Sequence, residues 1–139
     1  MWMSSLNLHQ REALLRLAYN VVVSDGLLDP NEEGMLDEFR AEMGLGAELE
    51  LEYLELGGIE HVFDDRRSRL IALLNLLKLS YADGAFEIEE ECLLKEISQT
   101  FAVSAEEFLL LDNWVKRWVG LEAEALSLID GESIATVGR

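Results

Sequence analysis

The feature that most limits what this chain can fold into is a near-repeat at a spacing of 58 residues. The stretch "VSDGLLDPNEE", residues 23–33, falls on "YADGAFEIEEE", residues 81–91, and sets Asp25 on Asp83, Gly26 on Gly84, Glu32 on Glu90 and Glu33 on Glu91. Outside the two loops Arg11 matches Arg69, Leu15 matches Leu73, Leu36 matches Leu94, and Ala47-Glu48 matches Ala105-Glu106. One supersecondary unit used twice is too short an array for a solenoid and points to a single pseudo-symmetric domain. The units are expected over residues 8–56 and 66–118, within a domain covering residues 1–130. Residues 131–139, with neither period nor core residues, are expected to be a flexible tail.

Each unit reads as a helix, an acidic turn, a second helix and a third, giving an all-α fold of six to seven helices. Asn7 with Gln10 forms a capping-box pattern, and Leu14, Leu17, Ala18, Val21 and Val22 then mark one buried face over residues 8–24. Asp29-Pro30-Asn31-Glu32 supplies a cap, a proline at the first helical position and a glutamate at the third; Met35, Leu36, Phe39 and Met43 then line one face until Gly44 stops the helix. Residues 70–81 are apolar almost all round, which predicts a helix surrounded by others, with Leu73, Leu74 and Leu77 inaccessible. Its successor spans about residues 88–101, and "SAEE" at 104–107 opens a last long helix carrying Phe108, Leu111, Trp114, Val115 and Trp118.

The stretch "ELELEYLEL", residues 48–56, alternates like a strand, yet no second such run exists to pair with it. Its counterpart in the repeat begins at the Ser104 cap, so a short helix closed by Gly57-Gly58 is expected. Cys92 falls opposite Gly34 of the other unit, where a small side chain suits a close helix crossing.

Charge narrows the partners. The chain has 28 Asp and Glu against 11 Lys and Arg, a net charge of -17, and such a field repels nucleic-acid phosphates and anionic lipid heads. It attracts cations and basic surfaces on other proteins. A lone cysteine, no signal-peptide pattern and no apolar run near the ~20 residues of a membrane helix make a cytoplasmic protein without direct membrane insertion the expectation. Two separated histidines, His9 and His61, and the lack of a phosphate loop, a metal-ligand His pair or a nucleophile motif give no catalytic residues, so a non-enzymatic protein is expected.

An apolar helix ending in Asp-Gly, a capped turn and a Glu seven residues after the Asp, twice in a small acidic helical chain, resembles the TerB-like family, named for tellurite resistance. The resemblance covers about residues 8–118 and is densest in "SRLIALLNLLKLSYADGAFEIEEECLL" at 68–94. It implies an all-α fold, divalent-cation binding by the acidic loops and a role in bacterial stress-response systems at or near the membrane. The carry-over lands on Asp25 and Glu32, and on Asp83 and Glu90, as metal-site residues.

Two readings of these four residues stay open. Each Asp sits where one helix ends and each Glu in the first turn of the next, so a fold at the glycine brings oxygen ligands together near a helix N-terminus, an arrangement suited to calcium or magnesium. An EF-hand is excluded, because that register puts Val21 and Val23, and Leu79 and Tyr81, at ligand positions. Alternatively each Asp bonds its own turn and each Glu completes a capping box, making the protein an interaction scaffold with structural turns. Glu38, Glu42, Glu89 and Glu96 read as a solvated face.

Overall fold

The computed structural model describes residues 1–24, 28–82 and 88–131, apart from the side chains of Ile88 and Glu89. A 3-10 turn, Met3–Ser5, precedes six helices: α1 (Leu8–Val22), α2 (Pro30–Glu42), α3 (Ile59–Val62), α4 (Arg66–Ala82), α5 (Ile88–Thr100) and α6 (Ala105–Asp130). The described residues contain no strand. The fold is all-α.

The helix ends follow from their cap residues. Asn7, Asp29 and Ser104 each accept from the backbone N–H three residues on, at 2.8, 2.8 and 3.1 Å, while Gln10, Glu32 and Glu107 reach back to the cap N–H. Asp65 starts α4 the same way, accepting from the Ser68 N–H at 2.8 Å. At the other end α2 stops at Gly44, with φ +67°, and α5 at Ala102, with φ +58°. Both turns are closed by a six-residue backbone bond, Leu45 N–H to Arg40 and Val103 N–H to Ser98. The bounds of α2 and α5 stand 58 residues apart at both ends.

The core forms around α4, which packs on α1, α5 and most extensively on α6. Leu73, Leu76 and Leu77 are fully buried and Leu74 nearly so, as a helix apolar all round requires. Leu14, Leu15, Leu17 and Val21 of α1, Leu36 of α2 and Leu94 and Ile97 of α5 complete the interior. Polar side chains stitch its edges. Arg11 Nη1 donates to the Met43 carbonyl at 2.7 Å, and Arg69 donates to the carbonyls of Phe63, Phe101 and Glu60 at 2.6, 3.2 and 2.8 Å. Asn75, buried in α4, donates to the Met1 carbonyl and accepts from the Met1 ammonium at 3.0 Å, tying the chain start to the central helix.

Two expectations are corrected. Residues 48–56 form no helix; the segment runs as irregular chain, and its backbone need is met by buried Asn20, whose amide donates to the Leu54 carbonyl at 2.8 Å and accepts from the Leu54 N–H at 3.0 Å. A side-chain amide thus stands in for the missing strand partner, and the two units part company here, since the counterpart residues lie in α6. Cys92 is exposed, so no close helix crossing explains its size. On α6, Phe108 and Val115 are buried, while Leu111, Trp114 and Trp118 are half-buried on the flank. The tail expectation concerns residues 132–139, outside the described residues; residue 131 itself closes α6.

Candidate functional site

Of the four carboxylates singled out in the sequence, Glu32 and Glu90 are described and Asp25 and Asp83 lie outside the described residues. Pro30 at the first position and the Asp29 cap start α2 so that Glu32 falls in its first turn. There Glu32 is 7% exposed, and its Oε1 accepts from the Asp29 N–H at 3.1 Å. Glu90 occupies the corresponding turn of α5 and is 8% exposed. Glu32 and Glu90 are therefore both buried, which is uncommon for this residue type. Glu38, Glu42 and Glu96 are exposed, as a solvated face requires. Among the described residues no group of three or more metal-capable side chains converges.

Tyr81, at the C-terminal end of α4, leads into the second Asp-Gly stretch. Its hydroxyl donates to Asp112 Oδ1 at 2.5 Å, and Lys116 approaches Asp112 Oδ2 at 3.3 Å. Burial, then the hydrogen bond to Asp112 and the negative charges of Asp112 and Glu91, push the Tyr81 hydroxyl well above the usual tyrosine range. The C-terminal end of α4 is thereby tied to α6. The first corner has no such phenol, because Val23 stands in place of Tyr81.

Two concave surfaces lie elsewhere. A cleft of ≈ 200 Å³ between α2, α4 and α6 is lined by Glu38, Glu42, Asn75, Lys78 and Glu122, with Lys78 Nζ 4.4 Å from the ring centre of Trp118. A wider groove between α4 and α6 is lined by Trp2, Leu70, Leu74 and Leu111, with Arg66 and Arg67 at its rim. No sequence pattern signals the groove, because it needs Trp2 folded against Trp114, their ring centres 6.3 Å apart.

The described residues define a helical protein whose marked groups are two buried first-turn glutamates and an acidic exterior. No described helix is long and apolar enough to cross a membrane. Comparison of the chain with protein-family models, curated proteins and solved structures returned no match.

Proposed function

We propose that the protein is a non-enzymatic acidic helical module that binds divalent cations, calcium or magnesium, at its two Asp-Gly corners and docks on a protein partner with a basic face. The metal residues in this reading are Asp25 and Glu32 at one corner and Asp83 and Glu90 at the other. The sequence resemblance to the TerB-like family supports the same reading and suggests a bacterial stress response such as tellurite resistance as its setting.

One observation carries the proposal. Two carboxylates are buried at matched positions in a chain of net charge -17. Carboxylate oxygens fixed in place by burial offer a hard cation a preformed edge. Backbone carbonyls and waters complete such a shell. The scaffold reading rests on a different observation, the reciprocal Asp29–Glu32 capping box, which accounts for the Glu32 conformation without a ligand.

Thermal unfolding in millimolar calcium or magnesium separates them. At about 0.15 M monovalent salt, surface fields reach only about 8 Å, so diffuse attraction is screened while a site is not. The expected result is a saturable upward shift of Tm that Asp83→Asn with Glu90→Gln reduces and that Glu38→Gln with Glu96→Gln leaves intact. Equal responses from both double variants would replace the cation reading with the scaffold.

A further inference from the structure

Helix α6 is 26 residues long, about 39 Å at 1.5 Å per residue, but the core covers only its first half. Beyond Val119 nearly every side chain is exposed, including Leu121 at 63%, Leu126 and Leu128 at 55% and Ile129 at 78%. These residues are not scattered. Leu111, Trp114, Trp118, Leu121, Ala125 and Leu128 follow one another at alternating steps of three and four, the spacing of a heptad seam. The first three are half-buried along the flank of α6, beside the apolar groove that Leu111 helps to line, and the last three run past the body into solvent.

We propose that this seam is a self-association surface, and that two copies of the chain pair through antiparallel α6 helices about a two-fold axis. Antiparallel pairing sets Leu111 against Leu128 of the second copy, Trp114 against Ala125 and Trp118 against Leu121. Each contact then occurs twice, as an isologous interface requires. The largest ring meets the smallest side chain, and the exposed end of each α6 enters the groove of the other copy. The distribution of charge along α6 favours this occupant. Arg117 flanks the seam on the side where antiparallel register faces it with Glu124 of the second copy, and both are exposed. Arg67, next to an Arg66 that pairs with Glu107, lines the groove that receives the acidic end of α6 at Asp130. In a chain with only 11 basic residues against 28 acidic ones, basic groups at one end of the seam and acidic groups at the other make the surface complementary to itself.

The test is sedimentation equilibrium of the full chain from about 1 to 100 µM at physiological salt, a range that detects a Kd near the micromolar scale. The expected mass rises with concentration from the 15.7 kDa of one chain to twice that value. Leu121→Glu, at an exposed position that the monomer fold does not use, is expected to raise Kd at least roughly tenfold. Arg117→Glu and Glu124→Arg are each expected to weaken the dimer, and their combination to restore it. A single-chain mass throughout would overturn the proposal and leave the seam to a different protein. So would a dimer that neither Leu121→Glu nor the charge reversals alter.

Discussion

Arg69 shows how much a single side chain carries in this fold. Its guanidinium donates to three backbone carbonyls, from α3, from the turn after it and from the turn after α5. Carbonyls at helix ends have no intrahelical partner, and one planar fork satisfies several of them at once. Arg11 does this for α2 alone, through Met43. Tyr81 is the residue with the sharpest pH consequence. Its hydroxyl keeps its proton more tightly folded than unfolded, so the stability it contributes is intact below the ordinary tyrosine value of about 10 and is lost as pH rises beyond it. Denaturant midpoints measured between pH 8 and pH 11 are expected to fall more steeply in the parent than in Tyr81→Phe. Parallel slopes would mean that the bond to Asp112 does not hold the proton.

At the scale of elements, the ends of α2 and α5 make a matched experiment. Both chains turn through a left-handed residue, Gly44 in one and Ala102 in the other, and only glycine does so without steric cost. Ala102→Gly is therefore expected to raise stability by about 0.5–1 kcal/mol, read as a higher urea midpoint at unchanged slope. A loss would show that the methyl group packs favourably enough to outweigh the strain. Helices α1, α2 and α6 were legible in the sequence because their caps are local: Asn7, Asp29 and Ser104 announce starts within three residues. The segment at 48–56 was not, since what holds it is Asn20, more than thirty positions away, and no periodicity reports a side chain substituting for a strand. Cys92 was misread for a related reason. Its alignment with Gly34 says nothing about which face of α5 turns outward.

For the molecule as a whole, the central place of α4 was legible because a helix apolar all round must be surrounded, and the burial of Leu73, Leu74 and Leu77 bears that out. The candidate site was legible only in part. The spacing between Glu32 and Glu90 located two first-turn glutamates, but their burial depends on how α2 and α5 settle on the rest of the bundle, which short-range pattern does not encode. On the cation-binding function proposed above, a folded chain of charge -17 concentrates cations at its two Asp-Gly corners instead of spreading them over its surface. Isothermal calorimetry of the metal-free protein with calcium, magnesium and zinc, at about 0.15 M monovalent salt, tests it most directly. The expected result is saturable binding of calcium or magnesium approaching two ions per chain, with Asp83→Asn and Glu90→Gln together removing one of them. Heats that never saturate, or saturable binding untouched by those substitutions, would contradict it.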